Sequence, residues 1–230
     1  MKILALDTSM EACSAAVLLA GKVFARFEAI ERGHAERILT MVDDVLGESG
    51  VQLRELDAIA FGRGPGAFTG VRLAASVAQG LAFAAERRVV PVSDLRALAQ
   101  AELDAAPEAA SVLVCADARL KEVYWGYFGR DPQGQAQAAG PESVGSPALV
   151  DRPDALAWPC HGTGRGFSAY PELGQRLAGA LSAVHPDRLP AAAVVARLAV
   201  SEVAAGRTLE PQDAVPVYLR DRVAEPPSRK

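Results

Sequence analysis

The chain has 230 residues, half of them hydrophobic, and a formal net charge of −4 at pH 7. It is long enough to bury the core of one large domain or two small ones. The acidic balance argues against a protein that grips DNA or RNA directly, because neutralising several phosphates requires a concentrated basic face.

Cys13, Cys115 and Cys160 are odd in number and contain no C-x-x-C pair. They indicate neither a disulfide framework nor a zinc cage. No basic segment precedes an apolar stretch at the N-terminus, and the most apolar helical segment, 71–85, is shorter than the roughly 20 residues that span a bilayer. We therefore expect a cytoplasmic protein that makes no membrane contact.

The chain opens with three short apolar runs, over 2–7, 14–19 and 22–28, which predict a three-stranded meander. Asp7 and Thr8 stand at the end of the first run. They are candidates for contacting an anion, a nucleotide or a metal-bound water at a strand end. A turn or helix cap explains the same residue types, and that use is commoner in general.

Residues 35–46 have the helical period, and their apolar side chains cover about half of the helix circumference. One neighbouring element is not expected to cover so wide a stripe. The members of this stripe that we assign to a partner interface are Ile38, Leu39, Met41, Val42 and Val45.

A strand over 57–61 then runs into a glycine-rich loop, in which Gly64, Gly66, Thr69 and Gly70 are candidates for holding an anion at the start of a helix. The loop matches neither a Walker motif nor a dinucleotide fingerprint. On spacing alone, a tight turn that lets two elements pack closely is the stronger interpretation.

Residues 71–85 form a helix that is apolar nearly all round, so we expect it to be buried nearly all round. Its small residues permit close helix packing. Either the protein's own sheet covers it or a partner does, and the two interpretations carry equal weight. Val71, Ala74, Ala75 and Ala78 complete the predicted partner interface.

Further along, a strand over 89–92 and a helix that ends near 104 precede a second pair of strands over 111–117 and 122–128. Arg119, at the tip of this pair, is a further candidate for an anion contact. Helices are predicted over 171–184 and 190–205. The segment 133–159 has no clear pattern. His34, His161 and His185 stand singly, so no metal site is predicted.

Five segments together resemble the bacterial TsaB (YeaZ) family. They are D-T-S at 7–9, R-G-H-A-E-R-I-L around His34, F-G-R-G-P-G-A-F-T-G-V-R at 61–72, D-A-R-L-K-E-V-Y-W at 117–125 and P-V-Y-L-R at 216–220. The resemblance runs almost from end to end of the chain. The strings at 61–72 and 117–125 are the most specific.

This resemblance implies an α/β, two-lobed actin/Hsp70/sugar-kinase-like fold with ribonuclease H-like subdomains. We expect one lobe from 1–105 plus 190–230 and a smaller one from 106–189. It also implies a non-catalytic subunit for threonylcarbamoylation of the tRNA adenosine next to the anticodon. The catalytic, metal-holding paralogue TsaD would be its direct partner, and the isolated chain would form a homodimer.

TsaE, and indirectly TsaC and tRNA, are the other partners that the resemblance implies. It implies no cofactor in the isolated chain, with ATP or ADP bound only in the complex. The competing hypothesis is a small-molecule phosphotransferase of the same fold that uses Asp7 and the loop from Gly64 to Gly70. Phosphoryl transfer needs a positioned base and a nucleotide cleft, and the sequence shows neither.

Overall fold

The computed structural model describes residues 1–151 and 156–220, and contains two β-sheets, each of which begins with an antiparallel hairpin. The first sheet has the strand order β3-β2-β1-β4-β5, with β1, β2 and β3 antiparallel and β4 and β5 parallel to β1. Its strands are β1 (Lys2–Asp7), β2 (Cys13–Leu19), β3 (Lys22–Glu28), β4 (Ala58–Gly62) and β5 (Arg88–Val92). The predicted meander is confirmed.

The second sheet has the order β11-β10-β6-β7-β8, and β9 also pairs with β7. Its strands are β6 (Ser111–Arg119), β7 (Glu122–Arg130), β8 (Ala136–Ala138), β9 (Ser143–Gly145), β10 (Cys160–Thr163) and β11 (Ala183–His185). Strands β6 and β7 are antiparallel, whereas β10 and β11 run parallel to β6. This second sheet repeats the plan of the first, so the predicted two-lobed fold with ribonuclease H-like subdomains is confirmed.

The described residues form six α-helices on the sheets: α1 (His34–Ser49), α2 (Phe68–Ala85), α3 (Asp94–Ala105), α4 (Gly166–Ala169), α5 (Pro171–Arg176) and α6 (Ala192–Ala204). Helices α1 and α2 share one hydrophobic core with the first sheet. Helix α6 packs on the opposite set of side chains of that sheet. The late segment that starts near 190 thus returns to the first lobe through α6, whereas Leu219 and Arg220 contact the second sheet and its hairpin. The part of the segment after residue 220 lies outside the described residues.

Helix α3 lies elsewhere than the division at residue 105 suggests. Leu95, Leu98 and Leu103 pack against the second sheet through Val112 and Val114. Ser93 begins the helix by accepting a hydrogen bond from the Arg96 backbone N–H. Each lobe therefore lends a helix to the other: α3 crosses to the second sheet, and α6 crosses back to the first.

The helix predicted over 171–184 is wrong in extent. Helix α5 ends at Arg176, and Ala183–His185 form the edge strand β11. Leu173, Leu177 and Leu181 are buried at a spacing of four residues, which imitates a long helix. Gly174 and Gly179 weaken that helix, because glycine loses more backbone freedom than other residues do.

Eight of the nine residues assigned to the partner interface lie in this chain's own core. Only Leu39 is exposed, with 54% of its surface accessible. The buried ones are Ile38, Met41, Val42, Val45, Val71, Ala74, Ala75 and Ala78. The periodic apolar stripe marks the side of each helix that packs on the first sheet, so it identified the core-facing side rather than an accessible one.

Helix α2 is nevertheless unusually apolar for its exposure. It is 18 residues long with a mean hydropathy of 1.2, and only 39% of it is buried. By length and composition alone it could cross a membrane, but a core helix of a soluble protein passes the same test. The C-terminal segment covers part of this helix, where Tyr218 packs on Phe68 and Gln79 donates to the Gln212 carbonyl, whereas Ser76, Gly80, Phe83 and Ala84 remain exposed.

Candidate functional site

A cleft of about 390 Å³ opens between the lobes. The first lobe contributes the turn after β1, the glycine loop and the start of α1, and the second contributes the tip of the β6–β7 hairpin. Five residues predicted to contact an anion or nucleotide line it: Thr8, Gly66, Thr69, Gly70 and Arg119. Asp7 and Gly64 do not line this cleft.

The glycines of the loop are required mainly by close backbone packing. A Cβ on Gly70 would lie 2.1 Å from the carbonyl oxygen of Thr8, and one on Gly66 would lie 2.3 Å from that of Ser9. The Thr8 hydroxyl donates to the Gly70 carbonyl over 2.7 Å. The loop is thus pressed against the segment after β1, which is the tight-turn interpretation favoured by the spacing.

Asp7 faces another carboxyl group instead of the cleft. Its Oδ1 accepts the Ser9 backbone N–H, while the Asp94 carboxylate accepts the Gly64 N–H. Asp7 Oδ2 and Asp94 Oδ1 are both buried without a donor among the described residues. Both oxygens lie within 3 Å of the position that a Cβ on Gly62 would occupy.

A proton held by Asp94 and shared with Asp7 would supply the missing donor. Burial, followed by the negative charge of Asp7, raises the pKa of Asp94 well above its usual range. Two carboxylates in contact cannot both ionise cheaply, so Asp94 holds its proton more tightly than an exposed aspartate does. Asp94 is a neighbour of Asp7 that the sequence analysis missed, because an aspartate at a helix start is ordinarily interpreted as a cap.

The charges around the cleft do not favour a free anion. Four carboxylates line it, from Glu11, Glu31, Glu36 and Asp117, against two guanidinium groups. Arg119 is already paired with Glu11 at 2.7 Å and with Asp117 at 3.0 Å. An anion entering this cleft would have to compete with those carboxylates for Arg119.

A second cluster, remote in sequence, was also missed. Glu102 on α3 accepts hydrogen bonds from Nδ1 of His161 on β10 and Nδ1 of His185 on β11, at 2.8 and 2.7 Å. Arg188 reaches the other oxygen of Glu102 at 3.0 Å. Burial tends to raise the pKa of Glu102, but the two histidines and Arg188 outweigh it and lower that pKa.

The outward sides of α1 and α2 form the third feature, which we call the outer face. It comprises Leu39, Ser76, Gly80, Phe83 and Ala84, all of them exposed. Phe83 is 79% exposed, the highest value among the large hydrophobic residues described. Gly80 lies mid-helix, and a Cβ placed on it would meet no atom within 4 Å. These five positions are mostly apolar and small, whereas the other exposed residues of α1 are mostly charged or polar, among them Glu36, Arg37, Asp43, Asp44 and Glu48.

These features define a two-lobed protein of the actin/Hsp70/sugar-kinase class. The cleft between its lobes carries more carboxylates than guanidinium groups, and α1 and α2 expose apolar side chains to solvent. A family model described as "TsaD: tRNA N6-adenosine threonylcarbamoyltransferase" matches residues 28–152. The "tRNA threonylcarbamoyladenosine biosynthesis protein TsaB" of Escherichia coli is 42% identical over 97% of this chain and 96% of its own length.

The TsaB protein of Haemophilus influenzae is 39% identical over 97% of this chain and 95% of its own. A solved structure titled "YeaZ from Pseudomonas aeruginosa" is 44% identical, covers 95% of this chain and 99% of its own, and superposes with a TM-score of 0.86. A second solved Pseudomonas aeruginosa structure, of an uncharacterised protein similar to peptidase YeaZ, is 47% identical with a TM-score of 0.88 and coverage of 95% and 99%. The chain belongs to the TsaB (YeaZ) family.

Proposed function

We propose that this protein is a non-catalytic subunit required for the biosynthesis of threonylcarbamoyladenosine in tRNA. It acts by forming a heterodimer with the catalytic paralogue TsaD, and TsaE, TsaC and tRNA join this partnership through the complex. The observation that carries the proposal is near-full-length similarity to proteins named for that biosynthesis. The match of residues 28–152 to the TsaD family model supports a paralogous partner.

The outer face is the proposed docking surface. Exposed apolar side chains such as Leu39 and Phe83 gain free energy when a partner covers them, at roughly 25 cal/mol per Å². Small residues, among them Ser76 and Gly80, let a facing helix approach closely. A helix pair from TsaD, or from a second copy of this chain when TsaD is absent, would complete a four-helix contact.

The interlobe cleft supports a non-catalytic role. Asp7, the carboxylate that a phosphotransferase would direct at a metal or phosphate, faces Asp94 and does not line the cleft. The cleft also carries more carboxylates than guanidinium groups. We therefore assign ATP or ADP binding to the complex and not to the isolated chain.

The test places a charge on the outer face without disturbing the core. Ala75 and Ala78 are unsuitable because an arginine at either site would enter the protein's own core. Gly80→Arg meets open space. It should keep the fold while weakening binding to TsaD by at least about a hundredfold, since a charge buried without a counter-ion costs roughly 3 kcal/mol or more.

Gly140→Arg is the matched control. Gly140 is exposed, a Cβ there also meets no atom within 4 Å, and it lies in the second lobe. Binding would be measured by calorimetry with purified TsaD, and function by the threonylcarbamoyladenosine content of tRNA in cells that carry each variant. Unchanged binding and unchanged tRNA modification in Gly80→Arg would refute the proposal.

The phosphotransferase hypothesis is tested on the isolated chain with ATP and Mg²⁺. We expect no saturable heat of binding and no transfer to small-molecule acceptors. Micromolar binding that is lost in Asp7→Asn, a variant that retains the shape of the side chain, would replace the subunit proposal with the enzymatic one.

A further inference from the structure

The cluster of Glu102, His161 and His185 lies in the second lobe and is not among the residues that line the interlobe cleft. Its residues come from α3, β10 and β11, three elements that only the folded lobe brings together. Each residue offers one ligand atom, and these atoms all lie within 4.8 Å of one another. We propose that this cluster is a binding site for a divalent transition-metal ion, with Zn²⁺ as the best-fitting ion.

The donor set is the first argument. Two imidazole nitrogens and a carboxylate oxygen suit Zn²⁺, which also accepts a water as the fourth ligand of an open site. Oxygen-preferring ions such as Mg²⁺ and Ca²⁺ favour carboxylates and carbonyls, so they fit this set poorly. The cluster therefore favours Zn²⁺, an ion of borderline hardness, over the hard cations Mg²⁺ and Ca²⁺.

The positions of the ligand atoms are the second argument. Both histidines direct Nδ1 at the same oxygen of Glu102, at 2.7 and 2.8 Å. Ligands about 2.0–2.2 Å from a tetrahedral zinc ion stand roughly 3.3–3.6 Å apart, so each histidine nitrogen needs to move roughly 0.5–0.9 Å away from the Glu102 oxygen. The ion would replace the two N–H···O contacts, and each neutral imidazole would then hold its proton on Nε2.

The outer contacts are the third argument, because metal ligands in proteins are themselves held by hydrogen-bonding groups. Nε2 of His161 faces the Glu108 carboxylate at 3.9 Å. The second oxygen of Glu102 is held by Arg188 at 3.0 Å. Glu102 thus has a hydrogen-bonded outer partner, and His161 has a charged neighbour that lies beyond hydrogen-bond distance.

Access is the fourth argument. Glu102 is fully buried and His161 nearly so, which fixes two ligands, whereas the side chain of His185 is 49% exposed. A groove of about 330 Å³ borders His185 and Arg188. An ion and its water can therefore enter from this side, with His185 as the adjustable ligand.

The experiment is calorimetric titration of the full chain, stripped with a chelator, with Zn²⁺ alone at pH 7.5. We expect one equivalent to bind, and the Tm to rise by about 5–10 °C at a free Zn²⁺ concentration a hundred times Kd. His185→Ala, a change at the exposed ligand, should weaken binding at least tenfold. The absorption bands of bound Co²⁺ should weaken in parallel.

His34→Ala is the matched control, because it removes the remaining histidine, whose ring contacts the Met10 carbonyl instead of this cluster. It should bind Zn²⁺ as the unmodified chain does. Absence of saturable binding, or equal affinity in His185→Ala, would overturn the proposal. Neither result bears on docking to TsaD, so the two proposals fail separately.

Discussion

The buried pair of Asp7 and Asp94 makes the stability of this protein depend on pH in a predictable direction. The pKa of Asp94 is raised in the folded chain, chiefly by burial and then by the charge of Asp7. A raised pKa means that the folded state holds a proton that the unfolded chain releases above about pH 4. The stabilisation from that proton is complete below the pKa of the unfolded chain, about pH 4, and is lost as pH rises from there toward the pKa of the folded chain.

Asp94→Asn removes this dependence while keeping the geometry. The amide oxygen can still accept the Gly64 N–H, and the amide nitrogen can donate to the Asp7 oxygen in place of the shared proton. Within the window between the two pKa values, the unmodified chain should lose up to about 1.4 kcal/mol per pH unit relative to the variant. That loss corresponds to roughly 3–6 °C in Tm for a chain of this size.

The assay is urea unfolding of both proteins at half-unit steps from pH 4.5 to 8.5. Plotting the difference in unfolding free energy against pH cancels the contributions of other groups. Asp94→Ala serves as the contrast, since it leaves the Gly64 N–H without its acceptor and opens a cavity, and should lose about 2–4 kcal/mol. Identical pH slopes for the unmodified chain and Asp94→Asn would refute the shared proton.

Three further predictions concern single sites. Gly70→Ala should lower the free energy of unfolding by about 1–3 kcal/mol or more, measured with urea, because the new Cβ meets the Thr8 carbonyl. Gly80→Ala should raise that free energy by about 0.5–1 kcal/mol, because the new Cβ meets no atom within 4 Å and alanine favours the helix. Equal effects of the two variants would contradict this packing. Phe83→Ser should leave Tm within about 2 °C, since Phe83 is exposed, yet weaken TsaD binding; undiminished affinity would exclude Phe83 from the contact. The three thiols should react with a disulfide reagent only as fast as the chain unfolds, because all three are buried. Burial, and then the negative charge of Asp7, also raises the pKa of Cys13 to about 11, which disfavours the reactive thiolate. Rapid reaction of the native chain would contradict this expectation.

Local patterns were sufficient to predict most strands and long helices. The runs over 2–7, 14–19 and 22–28 alternate with turn residues, and the structure differs from them only by adding Cys13 to β2. The false helix over 171–184 shows the limit, because buried leucines four residues apart fit a helix and a folded loop equally well. The segment 133–159, which lacks a pattern, contains only the short strands β8 and β9 and a 3₁₀ turn among its described residues.

Long-range features escaped the sequence analysis for a physical reason. His161 is 59 residues from Glu102 and His185 is 83 residues from it, and they meet only because β10 and β11 pair in parallel. The pair of Asp7 and Asp94 likewise depends on how the glycine loop folds. The outer face was missed because amphipathic periodicity reports the side that is buried and does not distinguish the protein's own sheet from a partner.

The central claim is that α1 and α2 dock onto the paralogue TsaD. Amide hydrogen exchange of this chain, alone and with purified TsaD in excess, tests it most directly. The account predicts slower exchange in peptides that cover α1 and α2, and unchanged exchange in peptides of the β10–β11 edge of the second sheet. Protection confined to the second lobe, or no protection at all in a mixture that forms a complex, would contradict it.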